Sequence, residues 1–250
     1  MNNKVKVVIP ARYDSSRLPG KPLLILKEKP IYWHVVQRVV EAGVSLDNIV
    51  VATDDERIKA SALKENIPVE MTSREHVSGT DRVNEVVNRR AWSDDTVILN
   101  VQGDEPLIPP ELIADLIRFS LENKHYPITT AVTPISTLSE LNNPNIVKAV
   151  IAENDRALYF TRSSSPFNRE SPSDISLCFR HIGIYGYSVA ALKQFCSMPE
   201  AQLEAHEKLE QLRALSYGMP IGTIVVGSAP QHGVDTFDDY KRLKSVMGEL

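Results

Sequence analysis

Arg12, Arg17 and Lys21 follow one another at short spacing, with Ser15, Ser16 and Gly20 between them and Asp14 as the one anion. Arginine forks match phosphate oxygens and a lysine supplies a movable point charge. A loop of this kind suits a polyphosphate, and it would serve equally as a solvated basic turn. Asp104, in Gln102-Gly103-Asp104-Glu105-Pro106, follows an apolar run and is suited to Mg²⁺, which binds through one or two carboxylates plus phosphate oxygens. A turn or helix-capping aspartate is the alternative there, as it is for Asp235 in Gly233-Val234-Asp235-Thr236. Ser78-Gly79-Thr80-Asp81-Arg82 places hydroxyls, a glycine and an arginine at a helix start, where free N–H groups favour an anion or a nucleobase carbonyl, or where a plain cap forms. His181 shares one face of a strand with Gly183, Tyr185 and Tyr187, with Ile182 and Ile184 opposite. That face is a polar wall for a ligand, or a hydrogen-bonded scaffold.

Elements that would position these residues are legible in the pattern. Val5 to Ile9 reads as a buried strand that delivers the basic loop. A helix over 30–42 follows, with Ile31, Val35, Val36, Val39 and Val40 as its buried stripe and Gly43 as its stop. Strands over 48–53, 68–71 and 96–101 alternate with helices from Asp55 to Leu63, Ser78 to Arg90 and Pro110 to Leu121. The alternation predicts an α/β fold, a mostly parallel sheet with helices on both faces, binding its ligand beyond the carboxyl ends of the strands. The second half predicts strands over 128–132, 147–152, 157–160, 182–187 and 221–226, a helical turn over 138–142, and helices over 200–217 and 237–247. Ser163 to Ser176 is rich in Ser, Pro and Asp and reads as a surface loop. In the helix over 200–217, Ala205, Leu209, Leu212 and Leu215 fall on one side and Glu207, Glu210 and Gln211 on the other, a solvated polar face by pattern alone. The expected organisation is one domain over 1–250 with an inserted sheet extension, softly divisible into 1–125 and 126–250.

With 250 residues the chain can bury a proper core. Its net charge of −4 argues against a general nucleic-acid binder, so an anionic substrate must be met by local cations. No apolar stretch reaches membrane-spanning length and the start has no signal-peptide core. Cys178 and Cys196 offer no metal-ligand spacing and read as free thiols of a reducing cytoplasm.

The run Ile9-Pro10-Ala11-Arg12-Tyr13-Asp14-Ser15-Ser16-Arg17-Leu18-Pro19-Gly20-Lys21-Pro22-Leu23 resembles the opening signature of the 3-deoxy-manno-octulosonate (Kdo) cytidylyltransferase, or CMP-Kdo synthetase, family. The related N-acylneuraminate cytidylyltransferases lack this Arg-Leu-Pro-Gly-Lys order. Val101-Gln102-Gly103-Asp104-Glu105-Pro106, Arg180-His181-Ile182-Gly183-Ile184-Tyr185-Gly186-Tyr187 and Leu209-Glu210-Gln211-Leu212-Arg213 also resemble that family's motifs.

The resemblance implies a Rossmann-like, nucleotide-diphospho-sugar transferase-like fold and the reaction of CTP with Kdo to CMP-Kdo and pyrophosphate, for lipopolysaccharide or capsule. It implies catalytic roles for Arg12, Arg17, Lys21, Asp104 and Asp235, with Asp104 and Asp235 holding Mg²⁺. It places Ala11, Arg12, Ser15, Arg17, Lys21, Ser78, Gly79, Arg82 and Gln102 against the nucleotide. It places Arg162, His181, Tyr185, Glu210 and Gln211 against the sugar. A homodimer is expected on the same basis. One departure stands out: Ser163, Ser164 and Ser165 precede Pro166 where the family has an apolar residue before proline. It admits an acceptor variant such as 8-amino-8-deoxy-Kdo. A sialic-type acid is the rival acceptor, and a catalytically inactive nucleotide-binding subunit is the rival without enzymatic activity.

Overall fold

The valines and isoleucine of β1 (Val5–Pro10) bury both of its faces, as a central parallel strand requires. The computed structural model describes residues 4–14, 18–227, 230 and 233–248. The chain forms two compact units, Met1–Ala114 with Pro230–Leu250, and Asp115–Ala229. The division falls earlier than residue 125, and the closing segment groups with the N-terminal unit.

In the first unit β1 leads, through the basic loop, to a short hairpin of β2 (Ile25–Leu26) and β3 (Lys29–Pro30). Lys27 and Glu28 at its tip have φ of 41° and 65°, which a tight two-residue hairpin turn demands. Helix α1 (Ile31–Glu41) buries Ile31, Tyr32, Val35, Val36 and Val39. Val40, predicted for the stripe, is exposed instead: nine residues beyond Ile31 it lies roughly half a turn round the helix. There follow β4 (Ile49–Thr53), α2 (Glu56–Lys64), β5 (Val69–Met71), α3 (Gly79–Arg90), β6 (Val97–Asn100) and α4 (Pro110–Glu122), of which residues from Asp115 onward belong to the second unit. The four parallel strands lie in the order β6-β1-β4-β5, with Val7 beside Ile49 on one side and beside Leu99 on the other. Because all run the same way, the loops after β1, β4 and β6 leave from one edge.

The second unit contains β7 (Ile128–Pro134), α5 (Leu138–Asn142), β8 (Lys148–Ile151), β9 (Ala157–Thr161), β10 (Phe179–Ser188), α6 (Val189–Ser197), α7 (Gln202–Glu207), α8 (Gln211–Ser216) and β11 (Ile221–Val225). β7 pairs antiparallel with β10 and parallel with β11, while β8 pairs antiparallel with β10 and β9. The helix expected over 200–217 is broken in two. Lys208 takes a left-handed conformation, φ 55°, and closes α7. The polar face of an unbroken helix therefore does not form, and Gln211 is buried. Helix α6, capped by the Ser188 hydroxyl at Ala191 N, is an element that the sequence pattern leaves unmarked. Cys178 is a buried thiol beside Ile135 and Leu141, its pKa pushed up by burial.

The closing α9 (Phe237–Val246) returns to the first unit. Val234 and Leu243 pack with Leu26 and Ile31, and the Tyr240 hydroxyl donates to Ile25 O at 2.6 Å. No helix among the described residues is long and apolar enough to cross a membrane.

Candidate functional site

At the carboxyl edge of the parallel strands in the first unit, Arg12, Asp14, Lys21, Gly79, Gln102 and Asp104, with Asp235, line a cleft of about 340 Å³. Ala11 also lines it and continues the sheet by donating to Ala52 O at 2.8 Å.

Two glycines allow the segments to converge. A Cβ on Gly103 would stand 2.7 Å from Pro10 O, which fastens the end of β6 against the end of β1. A Cβ on Gly233 would stand 2.9 Å from Asp104 O, and Val234 N donates to that same carbonyl at 2.9 Å. Asp104 and Asp235, far apart in sequence, are thereby brought to one place.

The Lys21 ammonium donates to Asp104 Oδ2 and lies 3.3 Å from Asp235 Oδ1. Neither aspartate serves as a cap. Helix α9 is capped by Thr236, which bonds reciprocally with Asp239, and α4 starts at Pro110, well beyond Asp104. Two carboxylates that converge on one cationic point form a donor set suited to Mg²⁺, which completes its shell with phosphate oxygens and water. No group of three or more His, Cys, Asp or Glu suited to a metal occurs among the described residues.

The loop itself is held by residues whose types alone give no signal of that role. The Arg57 guanidinium lies 3.3 Å above the Tyr13 ring, and Gly20 N donates to Tyr13 O at 2.8 Å. Gly20 has φ 70°, and a Cβ there would press on the Tyr13 ring at 3.1 Å. Ser15 and Arg17 lie outside the described residues.

The Ser78 segment divides. Gly79 faces the cleft beside Gln102. Ser78 is engaged in a capping box with Asp81. Arg82, expected against the nucleotide, is instead wholly buried, donating to Asp54 Oδ2 at 2.7 Å and to the Thr72 hydroxyl. It ties α3 to the loops after β4 and β5.

In the second unit His181 Nε2 is 2.9 Å from the Thr130 hydroxyl, and its ring centroid is 4.9 Å from Phe160 and 5.4 Å from Tyr185. Tyr185 in turn stacks 5.9 Å from Tyr187. β10 is bulged: His181 pairs with Val132 but Tyr185 with Thr130, so Gly183 and Ile184 are extra. An insertion of two residues preserves facing, and the aromatic row survives it. The Thr130 hydroxyl fills the bulge, 2.7 Å from Ile184 O. Desolvation lowers the His181 pKa to about 3, so the imidazole is neutral near pH 7, and burial with the Glu210 carboxylate raises that of Tyr185 well above its ordinary value. Glu210 precedes α8 and Gln211 is its first residue.

Arg162 is engaged by main-chain carbonyls. Its Nε donates to Glu207 O at 2.7 Å and one terminal nitrogen to Pro144 O at 2.9 Å, while the Glu207 carboxylate accepts from Arg162 N and the Thr161 hydroxyl, each at 2.7 Å. Ser164 donates to Asn142 Oδ1 at 2.8 Å.

A parallel α/β sheet that joins cations and paired carboxylates at its carboxyl edge is the arrangement of a nucleotide-handling enzyme. The chain belongs to the cytidylyltransferase family, whose model matches residues 6–221. It is 42% identical over 246 residues, 97% of this chain and 94% of the relative, to the 3-deoxy-manno-octulosonate cytidylyltransferase 2 of Paraburkholderia phytofirmans. It is 43% identical over 248 residues to the corresponding enzyme 1 of Actinobacillus pleuropneumoniae, covering 96% of this chain and 98% of that one. A solved CMP:2-keto-3-deoxy-manno-octonic acid synthetase complexed with CTP superposes with a TM-score of 0.91 at 38% identity, covering 99% of each chain.

Proposed function

We propose that this chain transfers the cytidylyl group of CTP to Kdo, giving CMP-Kdo and pyrophosphate for lipopolysaccharide or capsule assembly. The convergence of Asp104 and Asp235 on Lys21, in a chain about 40% identical to named Kdo cytidylyltransferases over nearly its whole length, carries this reading.

The anomeric hydroxyl oxygen of the sugar forms the new bond to the α-phosphorus. The bond from that phosphorus to the α–β bridging oxygen breaks, pyrophosphate leaves with the electron pair, and the hydroxyl proton passes to solvent. Positioning and charge neutralisation supply most of the rate in such a transfer. Arg12 and Lys21 hold the triphosphate, and Arg17 and Ser15 join them by resemblance. Gly79 and Gln102, which line the same cleft, meet the nucleoside with Ala11. Ser78 and Arg82 act on that site indirectly, by holding the start of α3. Asp104 and Asp235 would hold Mg²⁺, which when bound neutralises phosphate charge and lowers the pKa of the attacking hydroxyl. His181, Tyr185, Glu210 and Gln211 are the acceptor-binding set, with Arg162 behind them. His181 contributes a neutral hydrogen-bonding imidazole rather than a base, since desolvation disfavours the imidazolium that accepting a proton would create. The enzyme is expected to work in the cytoplasm as a homodimer, and light scattering on the purified chain checks the dimer. Exposed Leu158, Phe167 and Leu177 are apolar side chains available to such an interface.

The test is pyrophosphate release with CTP and Mg²⁺ against Kdo, 8-amino-8-deoxy-Kdo and N-acetylneuraminate. Release with Kdo is the expected result. Preference for the amino sugar would turn attention to Ser163–Ser165, and CTP binding with silence on all three acceptors would overturn the enzyme reading.

A further inference from the structure

Lys21 occupies the position between the two carboxylates assigned above to the divalent cation. Its ammonium donates to Asp104 Oδ2 and stands 3.3 Å from Asp235 Oδ1, and the side chain is only 11% exposed. The backbone around it is fastened: Lys21 N donates to Leu18 O at 3.2 Å, Leu24 N donates to Lys21 O at 3.1 Å, and Pro22 follows in a short 3-10 turn over Lys21–Leu23. The main chain at Lys21 is therefore fixed, while the four-carbon stem retains its rotamers.

Two carboxylates aimed at one point repel unless a cation sits between them. A lysine ammonium satisfies that requirement with a single charge. It also places a positive charge where an incoming metal ion must go, and the two cations cannot share the position. The same cleft is where polyphosphate oxygens would offer the ammonium a second set of acceptors.

We infer that Lys21 is a surrogate cation that keeps Asp104 and Asp235 assembled in the free enzyme and makes divalent-cation binding depend on the nucleotide. Transfer of the ammonium from the carboxylates to the phosphates of the nucleotide frees both carboxylates together. The enzyme then loads metal only when its nucleotide is present. The inference rests on the reading of Asp104 and Asp235 as the metal-holding pair.

The experiment is a titration of Mn²⁺ into the full chain, free Mn²⁺ being read by its paramagnetic resonance signal. Nucleotide-free wild type should bind Mn²⁺ weakly, and CTP should add enzyme-dependent binding. Lys21→Met should raise nucleotide-free Mn²⁺ affinity by roughly tenfold or more. Adding Asp104→Asn to Lys21→Met should abolish the gain. Without cations the Lys21→Met protein should melt lower than wild type and recover with Mn²⁺. Wild-type Mn²⁺ affinity in both Lys21→Met and Lys21→Gln would overturn the inference. So would tight Mn²⁺ binding by nucleotide-free wild type, an arm that needs no variant to fold. Either result leaves the metal pair standing. Absence of enzyme-dependent Mn²⁺ binding even with CTP would overturn the metal pair itself, and the inference with it.

Discussion

Gly103 and Pro10 meet without room for a side chain: Gly103 N donates to Pro10 O at 3.2 Å, and a Cβ on Gly103 would lie 2.7 Å from that oxygen. The contact sets where Asp104 begins. Gly103→Ala should force the two strand ends apart at a cost of about 1–3 kcal/mol, the range for inserting a methyl group into close-packed structure. Thermal unfolding should register that loss, and pyrophosphate release should fall more steeply than the stability change alone accounts for, because Asp104 moves with the strand end.

Asp104→Asn keeps the shape of the side chain and removes its charge. Lys21 loses its nearer carboxylate and the proposed cation loses half of its protein donors. Turnover should drop roughly a thousandfold, the scale on which charge stabilisation at a reacting phosphate acts. Folding should be unaffected within about 1 kcal/mol, since the side chain is 29% exposed and Lys21 keeps the Asp235 carboxylate 3.3 Å away. Near-normal turnover with Mg²⁺ would remove Asp104 from the mechanism.

Much of the framework around these residues is legible in the chain. The β-branched runs and the helices between them have strong periodicity; β2 and β3 have no predicted counterpart and β10 starts three residues before its predicted bound, while the other strands differ from theirs by two residues or fewer. By type Asp104 and Asp235 read equally well as turn or capping residues, and the family resemblance is what singles them out; their meeting depends on Gly103 and Gly233, whose close approaches to backbone leave no local signal. Residue types mislead where a polar side chain has a tertiary partner. Arg82 lies on a helix start that reads as a ligand site, yet its partners Asp54 and Thr72 come from two other loops. Gln211 falls on a polar face by helical spacing, and the left-handed Lys208 breaks that helix before the face can form.

Arg82 yields a prediction that separates structure from catalysis. It is fully buried, and its partner Asp54 is 15% exposed, so removing the arginine strands a carboxylate with little access to water. Arg82→Leu should destabilise the chain by about 3–5 kcal/mol. Asp54→Asn in that background should recover part of the loss, because the neutral amide no longer needs a counter-charge. Chemical denaturation of the single and double variants measures the coupling. A loss of CTP affinity with stability unchanged would instead return Arg82 to the nucleotide.

His181 should make stability depend on pH in a defined window. Its pKa is lowered to about 3 in the folded chain, against an ordinary value of 6.5, by desolvation of a ring enclosed by Phe160, Tyr185 and Thr130. Between those two values the unfolded chain takes up a proton that the folded chain refuses. The contribution is therefore fully present above pH 6.5 and is lost as pH falls toward 3, by about 1.4 kcal/mol for each unit. From about pH 7.5 to about pH 5 the wild type should lose roughly 2 kcal/mol that a His181→Gln variant retains. Glutamine suits the comparison because its amide reaches where Nε2 meets the Thr130 hydroxyl and does not titrate. Urea unfolding of both proteins at the two pH values makes the comparison. Parallel pH dependence of the two would mean that the imidazole is solvated, and would assign the acid sensitivity to other groups.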